Sequence, residues 1–250
     1  MATFTRADDL RGAEFRDVDL RDARFVGAAL SGAVMRGVDV DGLDIEAPWL
    51  LDGDGSLLVN GVDVTAYVSA ELDRRFPGRE LRRATDPDGL RAAWAALETA
   101  WDGALARAAA MPAGTVDINV AGEWSFAQTL RHLVLATDLW LGRSVLALEA
   151  PFHPLGLTNA EAEEEGFDMS VFATEAPTYD EVLAARADRV ALVRGFLADV
   201  TDDDLEVQRS NPWAPEHPET TRSCLHTILE EEWEHLRYAL RDLDAIATAE

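Results

Sequence analysis

An apolar residue recurs at every fifth position through Leu10, Phe15, Leu20, Phe25, Leu30, Met35, Val40 and Ile45. The position two before each is small or aliphatic in most cases, as in Ala13, Ala23, Ala28 and Ala33, with Val18 and Val38 as variants. A period of five fits neither a helix nor a strand. Short internal repeats point to a solenoid, whose units bury a core only when stacked. Pro48 ends the pattern. A hairpin is then predicted over Ser56–Val68, with Leu57, Leu58 and Val59 on one arm, Asn60-Gly61 as the turn and Val62, Asp63 and Val64 on the other. Thr65–Arg75 reads as a short helix stopped by Pro77-Gly78. This section is expected to cap the solenoid and join it to a second domain.

Beyond residue 84 the period changes to that of helices. The first is predicted over 87–110, where Trp94, Leu97, Trp101 and Leu105 form one stripe. The second starts from Ser125, with Gln128 completing a capping box, and runs to about 148. The third spans 179–199 behind Thr178 as N-cap and Glu181, and the fourth spans 219–247. Four amphipathic helices with long loops predict an antiparallel bundle containing crossovers. The fold class is therefore α+β and multidomain, with 1–47 as a repeat domain, 48–84 as cap and linker, and 85–250 as a helical domain.

The fourth helix carries the chemistry. At about 100° per residue, Glu231 and His235 lie about 40° apart, in line with Ile228, Ala239 and Ile246 on the stripe expected to face a core. Glu230, Glu234, Arg237 and Arg241 project to the other side. A Glu and a His at i, i+4 are commonly a solvated pair, but inward placement calls for a partner, because burying ionisable groups alone is costly. A metal ion supplies one. His132, on a stripe of the second helix with Gln128, Ala136 and Leu139, is the third inward candidate. A lone histidine on an apolar face is ordinarily a core residue; three such groups on two helices are better read as ligands.

Other chemistry-bearing residues fit structural roles. His226 lies about 180° around the helix from His235, which suits surface or interhelical packing. Cys224 reads as a small core residue, and His153 and His217 as loop residues. Trp124 and Trp213 sit at helix entries, where packing is the default and lining a pocket the alternative. Asp242 is placed to pair with Arg143 or another cation.

Composition narrows the function classes. All 22 basic residues are arginine against 47 acidic ones, and the net charge of −25 falls mostly after residue 83. That balance excludes phosphate-backbone binding and disfavours anionic lipid surfaces, so neither nucleic acid nor membrane is an expected partner. A single cysteine permits no internal disulfide, and no apolar leader or bilayer-length stretch is visible. A cytoplasmic location is expected.

Two resemblances sharpen these readings. Ala-Glu-Phe-Arg-Asp at 13–17 and Ala-Arg-Phe-Val-Gly at 23–27 resemble the pentapeptide-repeat family over about residues 6–47. The resemblance implies a right-handed quadrilateral β-helix of about two coils, with the central Leu and Phe residues stacked inside and the alanines filling inner corners. Some members mimic duplex DNA; two coils diluted by Arg11, Arg16, Arg21 and Arg24 are poorly suited to that. The pattern Trp-Ser-x-x-x-x-Leu-x-His-Leu at 124–133, with Glu-Glu-Trp-Glu-His-Leu-Arg-Tyr-Ala at 231–239, resembles the DinB-like family over about 85–248. That family shares an up-down four-helix metal-binding bundle with mycothiol-dependent transferases and isomerases. It implies a divalent metal held by His132, Glu231 and His235, with zinc the first expectation and nickel or iron the alternatives. The family pattern on the last helix is usually His-x-x-x-His; Glu231 departs from it, and a carboxylate remains a competent ligand. The expected function is a metal-dependent thiol S-transferase or related metalloenzyme acting on a low-molecular-weight thiol and an electrophile, with Glu231 as ligand or base. The alternative is a non-catalytic, metal-stabilised scaffold whose repeat segment mediates assembly, for instance as a homodimer.

Overall fold

The computed structural model describes residues 3–51, 55–159, 162–164 and 166–249. The remaining positions of the predicted spans (1, 2, 52–54, 160, 161, 165 and 250) lie outside the described residues. The chain divides into two compact units, Met1–Glu46 and Ala47–Glu250, so that residues 48–84 fall within the second.

In the first unit the period of five is a period of corners. Positive φ recurs at Gly12, Asp17, Asp22, Gly27, Gly32, Gly37 and Gly42, in the left-handed region that glycine enters freely and aspartate tolerates. Backbone hydrogen bonds from Ala13 to Leu10, Ala23 to Leu20, Ala33 to Leu30 and Leu43 to Val40 close alternate corners at 2.9–3.0 Å. No strand is assigned to residues 3–46. The central side chains are not buried: Leu10 is 44% exposed, Phe15 55%, Phe25 58% and Ile45 55%. The alanines of the repeat are exposed as well. Stacking of the Leu and Phe positions inside a coil is thus corrected by the structure. Some forty residues of repeat are too few to cover their own central positions.

The second unit opens with a 3-10 turn at Pro48–Leu51 and the antiparallel pair β1 (Leu58–Val59) and β2 (Val62–Asp63), in register Leu58↔Asp63 and Val59↔Val62. Asn60 and Gly61 have φ of 50° and 81°, as a type I′ turn requires. Then come α1 (Thr65–Arg75), a 3-10 segment at Arg79–Arg83, α2 (Pro87–Ala110) and α3 (Phe126–Thr137). They are followed by α4 (Tyr179–Asp199), the short α5 (Asp202–Leu205), β3 (Gln208–Arg209), β4 (Glu219–Thr220) and α6 (Thr221–Ala249). Side-chain caps start the long helices. The Asp86 carboxylate accepts from the Gly89 N–H with Pro87 in the first turn, and Ser125/Gln128 and Thr178/Glu181 form full capping boxes.

Four long helices share one core. α2 packs on α6 and α4, and α3 packs on α6 and α4, with α2 against α4 the sparsest of these seams. Leu90, Trp94, Leu97 and Trp101 of α2 meet Leu130 and Leu133 of α3, Val182 and Val193 of α4, and Ile228, Trp233 and Leu236 of α6. The segment before α2 is pinned on α6. Arg79, 3% exposed, pairs with Asp73 at 2.6 Å and with Glu234 at 3.7 Å. Gly78 makes this approach sterically feasible: its φ is 96°, and a Cβ there would lie 2.5 Å from that of Ala96.

Two boundaries differ from the periodicity. The helix expected to run to 148 is α-helical only to Thr137 and continues as a π-helix over Asp138–Val145. At its far end, Gly142 faces Pro151, where a Cβ would come within 3.2 Å. The last helix starts at Thr221, because Glu219 and Thr220 pair as β4 with Gln208 and Arg209. The Thr220 hydroxyl then accepts from the Ser223 N–H at 3.0 Å, the hydrogen bond of an N-cap. Among the described residues, no helix is long and apolar enough to cross a membrane.

Candidate metal centre

α3 presents His132 from its middle, and α6 presents Glu231 and His235 one turn apart. The structure brings these three together. One nitrogen or carboxylate oxygen from each lies within 4.8 Å of the others. His132 Nε2 is 3.2 Å from Glu231 Oε2, and His235 Nδ1 is 3.4 Å from the same oxygen. Trp124 packs against both imidazoles, with ring centroids 4.6 Å from His132 and 6.1 Å from His235, and Tyr238 meets His235 edge-on at 5.6 Å. Trp124, for which packing was the default expectation, therefore forms a wall of the cluster.

The electrostatics suit a cation. Burial, helped by the neighbouring His132, pushes His235 down to about 4, so its imidazole is neutral near pH 7 with a lone pair free. His235 Nδ1 lies 2.8 Å from the Glu231 carbonyl oxygen. Donating there leaves Nε2 as the acceptor, the outer hydrogen bond by which a ligating histidine is usually oriented. Burial acts to raise Glu231, but the His132 hydrogen bond and both imidazoles outweigh it and hold the carboxyl below its ordinary value. Among the described residues, the ion-pair partners of Glu231 are these two histidines alone. His132 Nδ1 is buried without a hydrogen-bond partner.

The fit to a divalent metal follows from this donor set. Two ligand atoms about 2.1 Å from a tetrahedral ion stand roughly 3.4 Å apart, close to the 3.2 Å between His132 Nε2 and Glu231 Oε2. The side chains of His132, Glu231 and His235 are 19%, 32% and 15% exposed, so the cluster is reachable from solvent. Ile228 and Ala239 are buried, whereas Glu231 and His235 lie at the edge of the core-facing stripe, half-buried.

The deeply buried carboxylate is its neighbour. Glu232 is 1% exposed and accepts from Arg186 Nη2 of α4 at 2.5 Å. Sequence reasoning passed over this pair, although the signal was present. Leu225, Glu232 and Ala239 recur at seven-residue spacing, and Arg186 follows Val182 by four on the stripe that carries Val193 and Leu197.

The remaining candidates take structural places. His226 Nε2 bonds the Ala84 carbonyl at 2.8 Å, and burial lowers its pKa. Cys224 is buried and pushed up to about 12 by burial, which silences it as a nucleophile. The His153 N–H donates to Asp138 at 2.7 Å, His217 is exposed, and Trp213 packs on Phe167 at 5.5 Å. Asp242 pairs with Arg241 at 2.8 Å, the alternative cation to Arg143.

A helical unit with a half-open His–Glu–His cluster on one seam carries a donor set of the kind that can hold a metal ion. The DinB superfamily profile matches residues 96–239, and pentapeptide repeats match in 8 copies over 9–44. The chain belongs to the DinB superfamily and carries pentapeptide repeats ahead of that domain. No curated protein and no solved structure matches it.

Proposed function

We propose that the chain is a divalent-metal-dependent enzyme of the thiol-transferase type, with His132, Glu231 and His235 as the metal ligands. The observation that carries this reading is a carboxylate held between two imidazoles with, among the described residues, no arginine paired to it. Three protein ligands leave positions open, as catalytic sites do and closed structural sites do not. A divalent ion bound there would lower the pKa of a thiol or water, so that the anionic nucleophile exists near neutral pH. Zinc is the metal we assign first; two histidines and one carboxylate also suit iron.

The chain's own residues have definable tasks. The Glu231 carbonyl orients His235, and the ring of Trp124 fixes the planes of both histidines and shields one side from water. Alternatively, Glu231 sits just off the metal, with water completing the shell, as the base that accepts a proton from an incoming thiol. Two architectures belong to the proposal: an up-down four-helix bundle, supported by the ring of contacts among α2, α6, α3 and α4, and a right-handed quadrilateral coil, supported by corners every five residues.

The test is turnover. Metal-loaded protein is assayed with a panel of low-molecular-weight thiols against 1-chloro-2,4-dinitrobenzene. Thioether formation that is abolished by chelation and absent in His235→Ala supports the reading. A protein that holds its metal yet leaves the rate at the uncatalysed level with every thiol contradicts it and returns the scaffold function.

A further inference from the structure

The two units differ in what they leave in water. Of the 25 large hydrophobic side chains exposed among the described residues, 19 precede residue 68 and 6 follow it. The eight central positions of the repeat, from Leu10 to Ile45 at five-residue spacing, are each 44–58% exposed, and Val26 and Val34 between them are more so. In the second unit, by contrast, the long helices bury their apolar stripes in one core. Removing apolar surface from water is favourable in proportion to its area. A unit of 46 residues that exposes this much gains from being covered.

The area is that of a protein interface. A large apolar side chain offers roughly 200 Å² when fully exposed, so eight at about half exposure leave on the order of 800 Å², about what each partner brings to a standard interface. The backbone points the same way. Within residues 3–46 the backbone–backbone hydrogen bonds join residues three apart at the corners, and no strand is assigned. Among the described residues, the stretches between corners thus carry no ladder of their own, and an unladdered backbone is a template for pairing with another chain.

Spacing and charge select the occupant. A surface whose corners and apolar positions recur every five residues is matched along its length by one with the same recurrence, which a second copy supplies. Residues 1–46 hold 10 acidic and 6 basic residues, a net charge of −4, so −21 of the chain's −25 lies in residues 47–250. Two repeat units therefore meet with little repulsion, whereas any approach onto a helical unit meets a strongly acidic surface. Arg11, Arg16 and Arg21 are paired with Asp9, Glu14 and Asp19, two residues before each, which keeps the borders of the apolar positions near neutral. We propose that the repeat unit is a self-association surface, on which the central side chains of two copies pack in a two-fold symmetric dimer.

Sedimentation velocity of the purified full chain is the test, with a species of twice 27.3 kDa expected at micromolar concentration. Phe15→Ser with Phe25→Ser is expected to raise the dissociation constant at least about tenfold, as loss of buried aromatic anchors does, while the helical circular dichroism stays as in the parent. A second measurement leaves the central positions intact. Val38→Cys, at an exposed position of the repeat, should give a covalent dimer with a short bis-maleimide, and Leu148→Cys, exposed in the second unit, should not. The buried Cys224 is common to both variants. A chain that stays monomeric overturns the proposal. A dimer untouched by the two serines, or one joined at Leu148→Cys and not at Val38→Cys, overturns the location, and growth beyond two copies overturns the two-fold arrangement. None of these outcomes depends on whether the metal cluster is catalytic.

Discussion

Glu231 and Glu232 are neighbours on α6 yet belong to two different regions of the helical unit. Glu232 points into the sealed interior and meets Arg186, so its charge is answered by the chain. Glu231 points to the half-open edge and meets two imidazoles, one of which burial holds down to about 4 and therefore uncharged at neutral pH. An interior carboxylate is tolerated when paired and hydrogen-bonded. The edge carboxylate has a hydrogen bond from His132 and, among the described residues, no arginine partner. The contrast is between a carboxylate answered by an arginine of the chain and one answered, among the described residues, by imidazoles alone.

The largest expected effect breaks the interior side. Arg186→Met strands a buried carboxylate and should reduce unfolding free energy in urea by about 3–5 kcal/mol. Arg186→Met with Glu232→Leu should recover most of that, since an apolar pair replaces the ionic one. A single-variant loss below about 1 kcal/mol would mean that the interior is not sealed. Next comes the metal itself. With free metal at about 100 times its dissociation constant, stripping it should lower stability by about 2.7 kcal/mol, and the loss should disappear in His132→Ala. Smaller again, His235→Ala measured without metal should cost about 1–2 kcal/mol, less than the metal contributes, since only one mostly buried ring is removed.

The smallest effect is a pH slope away from the cluster. Burial lowers His226 below its ordinary 6.5, so as the pH falls below that value the unfolded chain takes up this proton before the folded one does. Its contribution is fully present above pH 6.5 and declines as the pH falls toward the folded value. In metal-free protein, denaturation midpoints from pH 8 to pH 5 should therefore fall less steeply in His226→Gln than in the parent.

Sequence made the helices legible where local chemistry sets their limits. Asp86-Pro87, Ser125 with Gln128, and Thr178 with Glu181 are side-chain caps that act within one turn, and all three are in place. Asn60-Gly61 is a turn for the same reason. The π-helical stretch after Thr137 and the β3–β4 pairing depend on contacts with distant segments, which periodicity does not carry. The spacing of Phe15 and Phe25 announced the repeat correctly, but their exposure depends on how much of the chain packs over them, which the spacing does not carry. The cluster was legible as three residues on two helices, and its openness was not. Two positions separated by only 100° on α6 differ between edge and interior according to where α3 and α4 lie, and so Glu232 with Arg186 went unread.

The most direct test of the central claim is the metal content of purified protein by elemental mass spectrometry, beside His132→Ala and His235→Ala. The account predicts close to one divalent ion per chain in the parent and almost none in either variant, with both variants folded. A parent that stays metal-free after reconstitution, or variants that keep the ion, would contradict it.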